Sequence, residues 1–345
     1  MRPLTGKGKD LIAFVCLNVL LAVSGWIATS GFKRSQVLVD VSQDPTPLGY
    51  LKSLVLFALP CVLFGIWLGN YLASPTRRRA LWLTVFLLAP LGLVLDVFFG
   101  RSFFVFRNVG ATVAGYSRFW LLPAFSFETG TFQPYIPVEE VLFYFMGFLS
   151  ILLTYIWSDQ VVFGAHKVSH SQKPPKALAS GPRALLFWGF LGAALSVISW
   201  LIRRAIPPEQ GAGAFPGYFI FLVWTAVVPS MVCSRLAFHF VNFRALTLAW
   251  LFVLGISQFW EAALAIPYQW WGYQPDRMIG LRIRAQCDLP VEAVLVWTLG
   301  TWAAVMVYET VLNVLRIKVA QPDRAIHEAL RGEERDVDLL KRYYP

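Results

Sequence analysis

Residues 134–157 form one continuous apolar run that carries two adjacent carboxylates, Glu139 and Glu140, near its start. The run is long enough for an α-helix to cross the ~30 Å hydrocarbon core of a bilayer. An ionisable side chain at membrane depth is costly unless it is paired or faces a protein-lined cavity, so such a residue marks a candidate functional site. The sequence therefore predicts a transmembrane helix with functional acids near one end.

The composition extends this prediction to the whole chain. Of its 345 residues 57% are hydrophobic and only 14% are charged, whereas a soluble domain carries about 25% charged residues. The apolar segments are continuous rather than alternating, which excludes a transmembrane β-barrel. We predict an all-α polytopic membrane protein with about eight transmembrane helices. The predicted spans are residues 11–30, 51–73, 80–99, 137–157, 184–202, 216–238, 245–266 and 289–312.

An internal repeat is indicated by a second copy of the Pro-Val-Glu sequence. It occurs at residues 137–139 and again at 290–292, a little under half the chain length apart, each time opening an apolar run. An even number of spans per copy predicts two parallel four-helix repeats, at residues 1–157 and 184–315. The basic segment 158–183, with its Pro-Pro pair, is predicted to link them on the cytoplasmic side. Residues 316–345 are predicted to be a charged tail with one short helix that then frays.

The net charge of +10 does not indicate nucleic-acid binding. The basic residues lie in the connections between spans, as membrane orientation requires, and no basic patch is interleaved with aromatics on a soluble domain. More of the lysines and arginines fall on the side of the two termini. We therefore expect a multi-pass protein of the cell (inner) membrane with cytoplasmic termini.

The predicted topology brings acids from several spans to one face of the membrane. Span three ends there, span four begins there, span seven ends there and span eight begins there. If the acids share a dry pocket, burial and mutual repulsion would keep one or more of them protonated at neutral pH, as a general acid requires. The five candidate acids are Asp96, Glu139, Glu140, Glu261 and Glu292.

Simpler explanations stay open for some of these acids. Acidic residues in a first helical turn stabilise the helix dipole, which alone would account for Glu139 or Glu292. Asp96 could pair with Arg101. Glu261 is harder to explain in this way, because no basic residue lies within a helical turn of it. Glu309, near the other end of span eight, is expected to be solvated.

The sequence lacks the motifs of metal and nucleotide chemistry. Its four histidines include only one close pair, His166 and His170, which sit in the basic linker without further ligands. There is no aspartate-rich diphosphate motif, no dinucleotide-binding glycine loop and no serine-hydrolase elbow. We therefore expect no metal and no cofactor, and the remaining chemistry is carboxylate acid–base catalysis.

Residues 136–145, Ile-Pro-Val-Glu-Glu-Val-Leu-Phe-Tyr-Phe, resemble the Pro-x-Glu-Glu motif of the membrane lycopene cyclase family, which carries it once per repeat. The second-repeat pattern of that family, an aromatic cluster, a glycine and a Pro-x-Glu helix, resembles Trp-Gly-Tyr at 271–273, Gly280 and Leu-Pro-Val-Glu at 289–292. One departure is Ala293, which stands where the family has a second glutamate.

The resemblance implies a proton-initiated, non-redox cyclisation of a linear carotenoid end group, a reaction of the intramolecular lyase or isomerase type. Glu139 or Glu140 would donate the proton, and Glu292 would act as partner base or acid. The implied partners are a lipophilic polyene or isoprenoid substrate in the lipid bilayer, and enzymes of the carotenoid pathway. Aromatic faces stabilise cations by about 0.5–2 kcal/mol, and five aromatics are expected to line the site: Trp120, Phe143, Tyr144, Trp271 and Trp297.

Three alternatives to this interpretation of the aromatic residues and of the function remain open. The aromatic residues are equally compatible with ordinary membrane packing and interfacial anchoring. The same acid–base chemistry would serve a hydratase or isomerase of another polyprenyl chain. A non-enzymatic, proton-coupled transporter could use the acids as a relay, in which case a polar path through both leaflets is expected.

Overall fold

The computed structural model describes residues 47–69, 72, 74–164, 182–206, 214–283, 288–331 and 334–343, together with Leu38 and Asp40. Within these residues the protein is mostly helical. Six helical segments are long and apolar enough to cross a membrane: Gly49–Leu68, Pro75–Phe103, Glu139–Val162, Leu186–Ala205, Phe243–Ala265 and Glu292–Ala320. The chain is therefore a multi-pass membrane protein. The predicted span 11–30 lies outside the described residues, and the predicted span 216–238 contains a shorter apolar helix, Gly217–Met231.

The described helices are numbered here in chain order. They are α1 (Gly49–Leu68), α2 (Pro75–Phe103), α3 (Glu139–Trp157), α4 (Pro182–Ala205), α5 (Gly217–Leu222), α6 (Val228–Phe238), α7 (Phe243–Trp260), α8 (Glu292–Ala320), α9 (Ile326–Arg331) and α10 (Glu334–Tyr343). Three π-helical segments interrupt or extend them: Ser158–Val162 after α3, Val223–Val227 between α5 and α6, and Glu261–Ala265 after α7. The predicted end of span four at residue 157 is thus too early, because the helical backbone continues through a π turn to Val162.

Helices α3 and α8, the two that follow the Pro-Val-Glu motifs, form the centre of the bundle. Helix α3 packs against α1, α2, α7 and α8, and helix α8 packs against α2, α3, α6 and α7. The core between them contains fully buried side chains such as Leu152, Trp250 and Ala304. The outer faces of α1 and α2 expose residues such as Leu56 and Phe86, as expected where hydrocarbon rather than water is the surrounding solvent.

The two loops that precede the Pro-Val-Glu motifs, residues 100–136 and 267–288, are rich in aromatic residues. Both contain short strands, which is a local departure from the all-α prediction. The first holds β1 (Phe104–Val105), β2 (Leu121–Ser126) and β3 (Thr131–Pro137), and the second holds β4 (Gly272–Tyr273), β5 (Arg282–Ile283) and β6 (Leu289–Pro290). Strands β2 and β3 form an antiparallel hairpin, and β5 pairs with β6. Strand β1 pairs with β4, which joins the loop of the first half to the loop of the second. The loops therefore act as one roof over the helices.

The two Pro-Val-Glu motifs have the same backbone setting. In each, the proline ends a strand and the glutamate begins a helix. The valine between them donates its N–H across the strand pair, to the carbonyl of Trp120 at 3.1 Å in the first motif and of Leu281 at 2.9 Å in the second. The valine φ and ψ angles are −61° and −20° in the first motif and −59° and −23° in the second. The predicted span 137–157 therefore begins two residues before its helix. In both motifs strand pairing holds the proline in extended backbone, so the helix begins at the glutamate.

The far end of the bundle, opposite the loops, is closed by a polar network. Glu309 is only 5% exposed and accepts a hydrogen bond from the Tyr155 hydroxyl at 2.8 Å. That hydroxyl also accepts from the Asn242 backbone N–H at 3.3 Å, and the Asn242 side chain donates to Asp159 at 3.1 Å. The expectation that Glu309 is solvated is therefore wrong, because α3 and α7 enclose this part of α8.

The C-terminal segment is packed rather than frayed. Leu340 of α10 and Ala329 of α9 are fully buried in a cluster with Leu236 of α6 and the last turns of α8. Arg324 forms a bidentate ion pair with the buried carboxylate of Asp336. Charged residues suggested a solvated tail, but a few apolar positions and one buried pair hold these two helices against the bundle.

Candidate functional site

A cavity of about 120 Å³ lies beneath the roof loops, where α2, α3, α7 and α8 meet. Three carboxylates line it, and they come from both halves of the chain: Asp96, Glu140 and Glu261. Most of the remaining wall is aromatic, formed by Phe104, Phe106, Phe143, Tyr144, Tyr218, Trp271, Tyr273 and Trp297. None of the described residues in this wall is a lysine, arginine or histidine. We call this cavity the acidic chamber.

Two of the three acids lie side by side on the wall formed by the first half. Asp96 on α2 lies next to the hydroxyl of Tyr144 on α3. Glu140, in the first turn of α3, accepts a hydrogen bond from the hydroxyl of Tyr50 on α1. Gly100 leaves the space that the Asp96 carboxyl occupies, because a Cβ there would lie 2.6 Å from Asp96 Oδ1. The two carboxyl groups are thus held by neutral tyrosines and not by cations.

The suggested pairing of Asp96 with Arg101 is not what the structure contains. The Arg101 guanidinium donates a hydrogen bond to Gln133 and lies 5.3 Å from the centre of the Tyr135 ring. Both partners belong to strand β3, so Arg101 fastens the hairpin to the end of α2. Asp96 faces the acidic chamber instead.

The third acid, Glu261, is fully buried on the π turn that extends α7. The Trp297 indole donates to its Oε1 at 2.7 Å, and the Tyr273 hydroxyl donates to its Oε2 at 3.2 Å. Burial, followed by the nearby charge of Glu261, raises the pKa of the Tyr273 hydroxyl well above its ordinary value, so this hydroxyl keeps its proton. An indole N–H can only donate, so Glu261 is arranged as an acceptor at both oxygens.

The first glutamate of each motif points away from the chamber and binds a roof loop. Glu139 accepts a hydrogen bond from the Val113 backbone N–H at 2.6 Å. Glu292 accepts one from the Ile279 backbone N–H at 2.5 Å. The second carboxylate oxygen of each is buried without a hydrogen-bond partner among the described residues. Of the five acids predicted to converge, three meet in the chamber and these two hold its roof.

Four of the five predicted aromatic residues line the acidic chamber. They are Phe143, Tyr144, Trp271 and Trp297. The fifth, Trp120, lies in a turn before β2, where it is 44% exposed and makes an edge contact with Phe119. Trp120 shapes the backbone through its carbonyl bond to the first motif, but its side chain does not reach the chamber.

Sequence reasoning missed three tyrosines of the site, Tyr50, Tyr218 and Tyr273. All three line the chamber, Tyr50 and Tyr218 fully buried and Tyr273 partly buried. A buried tyrosine hydroxyl normally finds a polar partner, so a tyrosine at the start of an apolar span, as Tyr50 is, was a usable signal. The signal for Tyr273 was weaker, since its partner Glu261 is reached only through the fold of the loop.

The two halves contribute similar but unequal parts to the chamber. In the first half, the acid on α2, Asp96, lies next to Tyr144, the residue five positions after the motif's first glutamate. In the second half, the acid on α7 (Glu261) is bonded by the residue five positions after its motif glutamate, Trp297. Glu140 has no counterpart, because an alanine follows the glutamate in the second motif. The chamber therefore has a wall with two acids and a wall with one.

No protein-family model, no curated protein and no solved structure matches this chain significantly. The evidence for function is thus the site itself and the motif resemblance at residues 136–145 and 271–292. In the described part of the chain, no group of three or more His, Cys, Asp or Glu side chains is arranged to hold a metal ion. His166 and His170 lie outside the described residues.

Proposed function

We propose that this membrane protein is an enzyme that cyclises the end group of a linear carotenoid or other isoprenoid by proton transfer, with no net redox change. One observation carries the proposal: a largely aromatic chamber among the membrane-spanning helices, where acids from both halves face the same small space. Such a chamber combines an acid, a base and cation-stabilising rings, which is what a protonation-initiated cyclisation needs. The Pro-x-Glu-Glu resemblance of residues 136–145 supports the same chemistry.

The reaction balances without any co-reactant. A carboxylic acid transfers its proton to the terminal alkene, which leaves a tertiary carbocation. The π electrons of an internal alkene form a new carbon–carbon bond to that centre and close a six-membered ring, which moves the positive charge to a ring carbon. A carboxylate removes a proton from the neighbouring carbon to give a ring alkene of the same formula. A proton then returns between the carboxyl groups to reset the site.

The unequal walls suggest how the acid and base roles are divided. We assign the proton donor to the Asp96–Glu140 pair, because repulsion between two adjacent carboxylates in a low-dielectric space favours a shared proton. We assign the base to Glu261, because it stands apart from that pair on the wall of the second half and both of its oxygens accept hydrogen bonds, from Trp297 and Tyr273. Glu139 and Glu292 are positioning residues in this scheme, since each contacts a backbone amide of the roof.

The aromatic wall serves the intermediate. Faces of Phe143, Tyr144 and Trp271 would each stabilise a passing carbocation by about 0.5–2 kcal/mol. Phe104 of β1 and Tyr273 of β4 line the chamber, and water that reached the cation would trap it as an alcohol. In this scheme the cover that the two strands provide favours cyclisation over the hydratase alternative.

The surroundings of the chamber argue against a proton-coupled transporter. On the side of Ile151 away from the roof loops, the described residues of α3 and α8 form a tightly packed cluster of side chains such as Leu152, Leu153 and Val305. Between the acidic chamber and Glu309 neither α3 nor α8 carries a charged side chain that could relay a proton.

We further propose that the protein consists of two parallel repeats in the cell inner membrane with cytoplasmic termini.

The test is turnover of lycopene by the purified protein in lipid vesicles prepared in D₂O. The expected product has a cyclic end group that carries one deuterium and no added oxygen. Glu140→Gln and Asp96→Asn should each lower the rate by about 10²–10⁴-fold, the usual contribution of a positioned general acid. Glu128→Gln, in the exposed β2–β3 turn, is the matched control and should act as wild type.

Three results would contradict the proposal. One is full activity of both chamber variants. Another is a product heavier by one water, which would indicate a hydratase. The third is recovery of unchanged linear substrate from the wild type with lycopene and with shorter linear isoprenoids alike.

A further inference from the structure

The size of the acidic chamber limits how much of a substrate it can hold. Its volume is about 120 Å³, and an apolar cavity of ~150 Å³ accommodates a single benzene molecule. The chamber therefore fits one ring-sized end group. A linear isoprenoid is several times longer than such a group, so the rest of its chain has to lie elsewhere.

A second, narrower cavity of about 30 Å³ adjoins the chamber. Phe143, Gly147 and Trp297 line both cavities, so the two share a wall. Apart from two serines, the second cavity is lined only by apolar and aromatic side chains, contributed by α1, α3, α7 and α8. No charged residue lines it. We call this cavity the apolar neck.

The apolar neck lies between two helices that are not packed closely together. Leu54 of α1 and Ile256 of α7 stand on its two sides. Among the described helices, α1 packs mainly against α3 and has few contacts with α7. The two helices are joined at the roof side, where the Trp260 indole donates to Ser53 Oγ at 3.2 Å. Ile256, which lines the neck, is also 36% exposed, so the neck reaches the outer surface of α7.

The outer surface around this gap is apolar. Leu56 on α1 is 70% exposed and Phe259 on α7 is 72% exposed. Side chains of this kind face hydrocarbon in a membrane protein. An opening between α1 and α7 therefore leads from the acidic chamber into the bilayer interior rather than into water.

We propose that the hydrocarbon chain of the substrate leaves the acidic chamber through the apolar neck, and that the substrate enters end-first from the bilayer between α1 and α7. This inference rests on the proposed function and assigns the place where the chain behind the reactive end group lies. Among the described residues that line the neck none is charged, so the neck suits an uncharged hydrocarbon segment.

The first experiment compares substrates of different length in two variants. Ile256→Trp adds bulk to the neck without touching the chamber wall. Leu251→Trp adds the same bulk to an exposed position of the same helix that lines neither cavity. The readout is turnover of lycopene relative to a short terpene hydrocarbon with the same terminal alkene. Ile256→Trp should lower this ratio by about tenfold or more, the scale on which an apolar pocket rejects a misfitting methylene. Leu251→Trp should leave it unchanged.

The second experiment detects the tail without any turnover. A linear isoprenoid with a mid-chain diazirine is bound to the wild-type protein in vesicles, irradiated, and its attachment sites are mapped by mass spectrometry. Attachment at Leu54, Phe57 or Ile256 supports the neck, while attachment only elsewhere, or none, overturns it. Cyclic product with attachment elsewhere refutes the neck alone. Attachment in the neck without cyclic product from any linear isoprenoid refutes the proposed function but not tail binding. An equal fall of the ratio in both tryptophan variants also overturns the neck.

Discussion

Gly92 is the position where the smallest change should disturb the acidic chamber most. It lies on α2 one helical turn before Asp96, and it faces the ring of Tyr144. A Cβ at Gly92 would lie 2.6 Å from Tyr144 Cδ1 and 2.7 Å from Cε1. Carbon atoms in contact are about 3.5 Å or more apart, so Gly92→Ala requires the ring to move by about 1 Å. The Tyr144 hydroxyl would move with it, away from Asp96.

The expected effects on stability and on activity differ in size. Overpacking a filled interior costs about 1–3 kcal/mol, while replacing glycine by alanine inside a helix gains about 1 kcal/mol. Gly92→Ala should therefore lower the free energy of unfolding by only about 0–2 kcal/mol. A displacement of ~1 Å at a catalytic group can cost about 10²-fold in rate. We expect a protein that is folded and only slightly less stable, but strongly impaired in turnover.

The assay pairs thermal unfolding in detergent micelles with turnover of lycopene in vesicles. Gly255→Ala on α7 is the matched control, because no atom lies within 4 Å of the Cβ it would add. This control should unfold at the wild-type temperature or slightly higher and keep full activity. In the Tyr144→Leu background Gly92→Ala should no longer destabilise the protein, since leucine removes the clashing ring, and the double variant should stay impaired in turnover.

Wild-type turnover by Gly92→Ala, with stability equal to that of Gly255→Ala, would refute this reasoning. It would mean either that the Tyr144 ring can move freely or that its position does not matter to the reaction. If Gly92→Ala destabilised the Tyr144→Leu background as much as it destabilised the wild type, the ring would not be the source of the strain.

Three further predictions concern the parts around the chamber. Glu139→Ala should lower stability by about 1–3 kcal/mol, because the Val113 N–H loses its acceptor, whereas Glu139→Gln keeps an acceptor oxygen and should cost less; thermal unfolding of the two variants decides this. Trp297→Phe removes the indole that donates to Glu261 at 2.7 Å. A hydrogen bond to a charged group is worth about 1.5–3 kcal/mol, so turnover should fall by about 10–100-fold. An unchanged rate would remove Glu261 from the proposed base role. Asp336→Asn breaks the buried ion pair with Arg324, which costs about 3–5 kcal/mol, and should release the C-terminal helices. Limited proteolysis should then cleave the C-terminus faster while turnover is unchanged. Proteolysis at the wild-type rate would contradict this prediction.

The sequence alone was enough to recognise a polytopic membrane protein. Hydrophobic runs of membrane-crossing length are a local property, and the structure contains six of the predicted spans as long apolar helices. The repeated Pro-Val-Glu motif also identified the two helices, α3 and α8, that form the centre of the bundle. These features follow from hydrophobic length and helix-start residues, which do not depend on distant contacts.

Motif position did not distinguish the acid that lines the chamber from its neighbour that binds the roof. Glu139 and Glu140 are adjacent in sequence, and consecutive residues of a helix point in directions about a quarter turn or more apart. Only the path of the preceding loop brings the Val113 amide to Glu139 and leaves Glu140 facing Tyr50 and the chamber. The same holds in the second half, where the loop turns Glu292 toward Ile279.

The amino-acid sequence by itself thus determined the membrane spans, the two motif helices and the end of the bundle at which the acids gather. The tertiary structure alone decided which acids share a cavity, which tyrosines and tryptophan hold them, and that the loops carry strands and form a roof. The physical reason is range: hydrophobicity and helix initiation act over a single segment. Side-chain direction and cavity shape depend on contacts between α2, α3, α7 and α8 and on loop pairing across the two halves.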